Sequence, residues 1–353
     1  MNIQQAKRAL DNVINKGRVH MYKPIQVAEV LYRDRLQRNI DLASVDTYRI
    51  ASKRWRDEVC QVLVGRVCTS SAKYQDDVFN TNAVPPEALA ALGEENRAKS
   101  GIVEAYIYKR FQAKYEQLYE AVDYVGSATP DNFELASLVE YFRGAPGLRR
   151  SIDKIYEITV YALFSALVRH IGVTVEVGYD SDKIDLLREF EDFAKKVICI
   201  DSSRASCKGP ARLYRVGVTN AADRGLDMWS SFGLAIQVKH ISLSEEAACG
   251  IVEGITADRI VIVCRSSDVQ PILAVLNQIG WRSRIQSIVT ELDLIDWYER
   301  ALRGKYADEL ANDLLRTFHE EMLAEFPSSE ESNLRGLICD RGYDKLADTS
   351  WEV

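Results

Sequence analysis

The sequence predicts an α/β protein in which a mainly helical N-terminal region precedes a core built on a mixed sheet. Apolar residues in the first part of the chain recur at helical spacing, with few β-branched runs. A turn at Gly144-Ala-Pro146-Gly147 follows. After it, short apolar strands alternate with helical segments, which is typical of an α/β layer. We therefore divide the chain into residues 1–147, a core at 148–305, and a C-terminal helix with a polar tail at 306–353.

Helical periodicity recurs five times in the N-terminal region. The predicted helices cover residues 2–16, 24–38, 45–64, 86–98 and 101–124. Pro85-Pro86 interrupts the chain, and a proline at the first helical position suits the start of the helix that follows.

Positive charge is concentrated near the N-terminus. Residues 1–73 contain 14 Lys/Arg and 7 Asp/Glu, a local charge of +7, whereas the whole chain carries −7 and the remainder therefore −14. Such asymmetry can indicate a region that binds a polyanion. Arg49, Lys53 and Arg56 share one helical face, although a solvated helix surface is the commoner explanation of such a stripe.

The core is predicted to begin with a helix from Ser151 to about His170, followed by alternating elements. Strands or extended segments are predicted at 173–177, 211–219, 226–230, 234–241, 259–264 and 284–290, helices at 182–196, 244–256, 268–279 and 291–303, and a polar linker at 201–210. The last segment should form one helix to about Phe326 and then a loose polar end.

Composition excludes several classes of protein. A hydrophobic content of 47% and a charged content of 27% are ordinary for a soluble globular protein. The sequence has no apolar run long enough for a membrane helix and no signal peptide, and its seven scattered cysteines suggest reduced thiols, so we expect a cytoplasmic protein. A glycine-rich phosphate loop is also missing from the sequence, so we expect no nucleotide cofactor.

The stretch from Asp227 to Lys239 carries the most chemical information. Successive side chains of a strand point to opposite faces, so Ile236 and Val238 should face a core. Gln237 and Lys239 should then project together beside Asp227. An acid, an amide oxygen and an ammonium group at a strand edge can bind a divalent metal ion and a phosphodiester.

Magnesium suits this set of groups. Mg²⁺ prefers oxygen ligands and keeps several waters, so one or two protein groups suffice. We expect Asp227 to anchor the ion, with the Gln237 amide oxygen and the Val238 carbonyl as further ligands. Lys239 would hold the nucleophilic water and the phosphate, whereas His240, by alternation, should face away as a structural residue. The spacing by itself is weak, because a lysine at the end of a strand is usually only solvated.

Longer segments carry a specific resemblance. Arg224-Gly-Leu-Asp227 and Gln237-Val-Lys239 resemble the PD-(D/E)xK nuclease signature, with glutamine in the usual acidic position. The chain also resembles the HaeII family of type II restriction endonucleases, over residues 1 to about 325. The segments that carry this likeness are MYKPIQVAEVLYRDR, RSIDKIYEITVYALF, ARLYRVGVTNAADRGLDMW, ITADRIVIVC and LNQIGWRSRIQ.

The resemblance implies a Mg²⁺-dependent enzyme of the bacterial cytoplasm that cuts both strands of DNA. The expected target is a short palindrome, with a GCGC-centred site as a fair guess, and the expected ends are 5′-phosphate and 3′-hydroxyl. A palindromic target also predicts a two-fold symmetric homodimer. Proteins of this fold often add an acid from the preceding helix, and Glu157 is the candidate here; the alternative is a helix-surface glutamate.

To recognise a base sequence, the protein would need side chains in a groove of the DNA, most commonly an arginine that hydrogen-bonds to guanine. Arg215, Arg224, Arg282 and Arg284 are candidates, although most arginines at DNA contact only phosphates. Two other functions stay open. Gln237 favours a non-catalytic DNA-binding or regulatory protein that keeps a nuclease-like fold. A small-molecule enzyme is supported only by the alternation of strands and helices, which does not assign function.

Overall fold

The structure is a computed structural model, and it describes residues 1–67, 77–216, 226–267, 269–278, 284–326, 331–346 and 350–352. The N-terminal region is helical, as expected. Its helices are α1 (Ile3–Lys16), α2 (Tyr22–Gln37), α3 (Arg49–Val64), α4 (Pro86–Ala98), α5 (Ile102–Gly126) and α6 (Leu135–Gly144). The five predicted helices are confirmed with shifted ends, and α6 is an additional helix that we did not predict.

Two hydrophobic cores meet along α5. Its first half places Ile107 and Phe111 in a core formed with α1 to α4. Its second half places Leu118 and Val125 in a core shared with the sheet and the later helices. The change from one core to the other therefore takes place within a continuous 25-residue helix.

Helix α7 (Ile152–His170) follows, and the chain then extends into an arm before it enters the sheet. The arm contains β1 (Thr174–Gly178), α8 (Ile184–Glu189) and β2 (Ser206–Pro210), and the two strands pair antiparallel. The expectation of a polar linker at 201–210 is therefore wrong for its second half. These residues lack an apolar pattern and form a strand because β1 offers them a hydrogen-bonding partner.

A five-stranded mixed sheet forms the centre of the second core, which confirms the predicted fold class. Its strands, in spatial order, are β3 (Leu213–Arg215), β4 (Met228–Ser230), β5 (Leu234–Lys239), β6 (Arg259–Cys264) and β7 (Ile285–Thr290). The pairs β3–β4 and β4–β5 are antiparallel, whereas β5–β6 and β6–β7 are parallel. The central strand β5 is thus the point where the two pairing modes meet.

Helices cover both faces of this sheet. The connecting helices α9 (Glu245–Gly254) and α10 (Val269–Gln278) lie on one face. On the other face are α7, α11 (Glu291–Arg303) and α12 (Ala307–Glu325). Ile236 and Val238 contact the second group, as predicted, and Ala235 contacts the first. Burial of both faces is typical of strands that pair in parallel. In β5 this burial determines which side chains reach the edge of the sheet.

The C-terminal segment returns to the N-terminal helices. Helix α13 (Glu331–Asp340) is followed by Tyr343 and Trp351, and both aromatic side chains are buried in the N-terminal core. Arg341 donates to both carboxylate oxygens of Glu29, at 2.6 and 3.0 Å. The expectation of a loose polar end is therefore wrong, because a few aromatic and charged anchors fix a segment whose composition is otherwise polar.

No helix in the described part of the chain combines the length and apolar character that a membrane crossing requires.

We predict that Arg341→Met lowers the free energy of unfolding by about 3 kcal/mol, because it removes the partner of a buried carboxylate. Denaturant unfolding measures this change. Arg300→Met is the matched control: Arg300 forms an exposed pair with Asp296, and exposed pairs contribute less than about 1 kcal/mol. Equal effects of the two substitutions would show that the Glu29–Arg341 pair does not anchor the C-terminal segment.

Candidate active site

Strand pairing brings Asp227 against β5. Asp227 immediately precedes β4, and the register Met228–Ile236 places it beside Gln237. Gln237 Nε2 donates a hydrogen bond to Asp227 Oδ2, and the Val238 amide donates to the same oxygen at 2.7 Å. The carboxylate is thus held against β5 by two donors, one from the backbone and one from a side chain. The sequence predicted this proximity from strand alternation alone.

Lys239 lies at the end of β5, two residues beyond Gln237 and therefore on the same face. Its ammonium group makes no hydrogen bond or ion pair with any residue that the structure describes. Burial raises the pKa of Asp227, while the Val238 amide and the positive charges of Lys239 and Lys154 oppose that rise. The result is a desolvated acid near an ammonium group that is available to a ligand.

The first turns of α7 add charged groups to this site. Lys154 Nζ lies 2.7 Å from both carboxylate oxygens of Glu157. Burial raises the pKa of Glu157, Lys154 opposes this rise, and the negative charges of Asp227 and Asp153 add to it, so that the resulting pKa is about 7. Glu157, predicted as an additional acid, therefore lies within electrostatic reach of Asp227, with both its oxygens engaged by a lysine.

Asp153 was not predicted as a site residue. Its Oδ2 accepts a hydrogen bond from Arg18 at 2.7 Å, and its Oδ1 is buried without a partner among the described residues. Its charge raises the pKa of Asp227 and of His240. The only sequence feature that could have identified Asp153 is its position one helical turn before Glu157. An acid on a helix surface can have the same spacing.

His240, expected to be structural, is half-buried, and this burial lowers its pKa. The negative charge of Asp153 opposes the shift, and the positive charges of Lys239 and Arg143 add to it. A neutral imidazole at neutral pH is consistent with a packed residue.

The arginines predicted to contact DNA have other partners or lie outside the described residues. Arg215 is buried and pairs with Glu321 and Glu325 on α12, at 2.8 and 2.9 Å. Arg284 donates to the main-chain carbonyls of residues 252, 255 and 257, at the end of α9. A DNA contact by either arginine would have to replace these bonds, and it stays a prediction. Arg224 and Arg282 lie outside the described residues.

The donor set fits a hard cation, although it is small. The described residues contain no group of three or more His, Cys, Asp or Glu side chains that could hold a metal ion. Oxygen donors are nevertheless at hand: the Asp227 carboxylate, and the Gln237 amide oxygen, whose own nitrogen faces Asp227. The Val238 carbonyl points to the same side as its amide, toward Asp227. Few protein ligands suit an ion that keeps several waters.

Comparison with known proteins decides the family. The model of the HaeII restriction endonuclease family matches residues 6–343. The chain belongs to the HaeII restriction endonuclease family. It is 53% identical over 347 residues to the type II restriction enzyme HaeII of Haemophilus aegyptius, which covers 98% of this chain and 99% of that protein. It is 54% identical over 342 residues to the type II restriction enzyme NgoBI of Neisseria gonorrhoeae, covering 97% of each. No solved structure matches the chain.

Membership in the HaeII family confirms the resemblance and the enzyme class. The protein is a type II restriction endonuclease, whose substrate is DNA. Restriction endonucleases are generally metal-dependent, which agrees with the oxygen-rich donor set around Asp227. The small-molecule enzyme considered from the strand–helix alternation is therefore ruled out.

We predict that Glu157→Gln changes how stability depends on pH in metal-free buffer. Folding raises the pKa of Glu157 from 4.5 to about 7, because the buried carboxyl favours its protonated form. The contribution of this group to stability should therefore be greatest below pH 4.5. The wild-type protein should lose on the order of 2 kcal/mol relative to Glu157→Gln as the pH rises to 7.

Denaturant unfolding of both proteins at pH 5 and pH 8 measures the difference. Glu253→Gln, at an exposed glutamate of α9, is the control and should follow the wild-type protein. Parallel pH profiles for wild type and Glu157→Gln would contradict the assignment of a raised pKa to this carboxyl.

Proposed function

We propose that this enzyme is a Mg²⁺-dependent endonuclease that cleaves both strands of DNA at a short palindrome, in the bacterial cytoplasm. One observation carries the chemistry: a carboxylate, an amide and an ammonium group that has no partner among the described residues lie together at the end of β5. Together these groups can hold a cation and a phosphodiester. A GCGC-centred site, which the family resemblance implies, is the first sequence to test.

Asp227, the Gln237 amide oxygen and the Val238 carbonyl are the proposed ligands of the ion. When bound, Mg²⁺ supplies positive charge to the phosphate and lowers the pKa of a coordinated water. Asp227 is held for this role by two hydrogen bonds to Oδ2, and Oδ1 makes no hydrogen bond with the described residues. With one carboxylate in this position and not two, the residues suit a single, well-hydrated ion.

Lys239 is proposed to orient the scissile phosphate and the attacking water. Its ammonium group can donate to a phosphate oxygen, where negative charge grows during the reaction. Water attacks phosphorus and releases a proton to solvent, the bond from phosphorus to the 3′ oxygen breaks, and the 3′ oxygen takes a proton from solvent. The products are a 5′-phosphate and a 3′-hydroxyl. Nothing within the described chain competes for Lys239, which supports this role.

Glu157 is proposed as the additional acid of the site. Asp227 lies near enough to raise the pKa of Glu157, and the pair of Glu157 with Lys154 brings a second ammonium group close to Asp227. The pair thus adds little net charge to the site while it keeps a cation there. We propose that Glu157 acts through Lys154, which would steady the negative charge of Asp227 and of the phosphate.

Family membership argues against the non-catalytic DNA-binding protein considered from the sequence, which Gln237 alone had favoured. Loss of one acid is a common way for a metal site to decay. Incubation with plasmid DNA and Mg²⁺ separates the two functions. Discrete fragments support the enzyme, whereas retarded but intact DNA supports the binding protein.

We predict that Asp227→Asn and Lys239→Ala each lower the rate of plasmid cleavage at least about 100-fold, because each removes a charge from the reacting phosphate or its ion. Binding to an oligonucleotide that carries the target should persist, as gel retardation in Ca²⁺ would measure. Lys305→Ala removes an exposed lysine far along the chain, between α11 and α12, and should cut at the wild-type rate. Wild-type cleavage by either site variant would reject the assigned residues.

Gln237→Glu tests the metal site without relying on cleavage. The new carboxylate would face Asp227 where an amide donor lies now, so we expect a lower melting temperature without metal. Mg²⁺ should then raise the melting temperature more than in the wild-type protein, since a ligand stabilises the state that binds it. Thermal unfolding across a Mg²⁺ titration at constant ionic strength measures both effects. Asp227→Asn should show little Mg²⁺ effect, and equal shifts in the two variants would place the ion elsewhere.

A further inference from the structure

Residues 171–210, the arm, are mostly exposed. They form the β1–β2 hairpin with a helical excursion at its end. This excursion, the arm helix, consists of α8, a turn at Glu191–Phe193 and a π-helical turn at Ala194–Ile198. Within the arm only Ala194 and Ile200 are buried. The arm therefore has almost no core of its own, which makes its apolar side chains unusual.

The arm helix carries two apolar stripes. Ile184, Leu187 and Ala194 form the inner stripe, which is half-buried or buried. The outer stripe faces solvent, with exposed fractions of 56% at Leu186, 53% at Phe190, 52% at Phe193 and 66% at Val197. Its members follow at intervals of four, three and four residues, which is the spacing of a helix–helix seam. A contiguous exposed patch of this kind marks an interaction surface.

Charge argues against DNA as the occupant of this stripe. The arm contains eight Asp/Glu and six Lys/Arg, so it is acidic overall. A surface that binds the phosphate backbone needs an excess of positive charge. The occupant is therefore expected to be a protein surface with its own apolar seam.

The two halves of the arm carry opposite net charge, so the arm is electrostatically complementary to a second copy of itself. Residues 174–192 contain seven acids and two bases, whereas residues 193–210 contain one acid and four bases. A two-fold axis that sets two arm helices antiparallel would place the acidic half of each against the basic half of the other. Such an isologous contact uses the same patch on both copies, and complementary charge fixes its register.

We propose that the arm is the dimerisation surface of this enzyme, and that the outer stripe packs antiparallel against the same stripe of a second copy. The proposal rests on the proposed function in one respect: cutting both strands at a palindrome calls for two sites, and each chain carries one. The four outer side chains and Ile198 would bury on the order of 400 Å² of apolar surface per copy, about half of a standard interface of roughly 800 Å² per partner. The flanking charged residues would supply the remainder.

The first test is the oligomeric state of the full-length protein. Wild type should sediment as a dimer at micromolar concentration. The double variant Phe190→Glu/Phe193→Glu should raise the dissociation constant at least about 100-fold, because it removes two large apolar contacts from each copy. Leu292→Glu is the matched control: it adds charge at a leucine of α11 that is 76% exposed, and it should remain a dimer. A monomeric wild type, or a double variant that dimerises like the control, would overturn the proposal.

A charge-exchange experiment tests the antiparallel register. Asp185→Lys/Glu189→Lys and Lys195→Glu/Lys196→Glu should each dimerise weakly, since like charges then face each other at both ends. An equimolar mixture should form heterodimers of near wild-type affinity, because opposite charges meet again at both ends. Recovery in the mixture also shows that each variant is folded. Equal affinity of the mixture and the separate variants would reject the register.

Plasmid cleavage in Mg²⁺ separates this proposal from the proposed function. A wild-type dimer that leaves DNA intact would reject the function and leave the arm as the interface. A wild-type monomer that cuts both strands would do the reverse. If both proposals hold, the Phe190→Glu/Phe193→Glu protein should nick DNA or cut it slowly, and raising its concentration should restore double-strand cleavage.

Discussion

The contact between Asp227 and the backbone of β5 is the constraint on which the site depends. The short strand β4 pairs with β5 through few residues, and the carboxylate that precedes it is fixed by the Val238 amide and the Gln237 side chain. Those bonds place a desolvated acid at the strand end, where Lys239 emerges. If β4 slipped by one residue, every side chain on it would change face, and the acid would no longer meet the lysine.

Buried ion pairs hold the surrounding elements in the positions that this contact needs. Arg215, at the end of β3, joins the sheet to α12 through Glu321 and Glu325 and lies 3.8 Å from Glu157 on α7. Removal of one partner from such a cluster leaves the other charge buried without a counter-charge. This lowers the free energy of unfolding by several kcal/mol. These ion pairs therefore link the sheet to α12 and to α7, the helix that carries Asp153, Lys154 and Glu157.

The local pattern of apolar and polar residues predicted the helices and strands that are buried in a periodic way. It missed the elements that form through contacts with distant parts of the chain. The alternation around Gln237 and the apolar run of β6 identified the sheet, because a strand buried on both faces leaves a clear signal. By contrast, β2 forms only through pairing with β1. The C-terminal segment docks through Arg341 on Glu29, more than 300 residues earlier in the chain. Neither polar stretch has a periodic pattern of apolar residues. The contribution of Asp153 to the site likewise depends on contacts that the sequence pattern does not show.

The chemistry of the amide explains how a glutamine can serve where an acid is usual. A second carboxylate at position 237 would lie within hydrogen-bonding distance of Asp227 and repel it whenever no cation is bound. Gln237 instead donates to Asp227 through Nε2 and keeps its oxygen for a ligand. The protein itself therefore sets the geometry that the proposed ion would need. The acid, the amide and an ammonium group that has no partner among the described residues keep this register, which agrees with a restriction endonuclease.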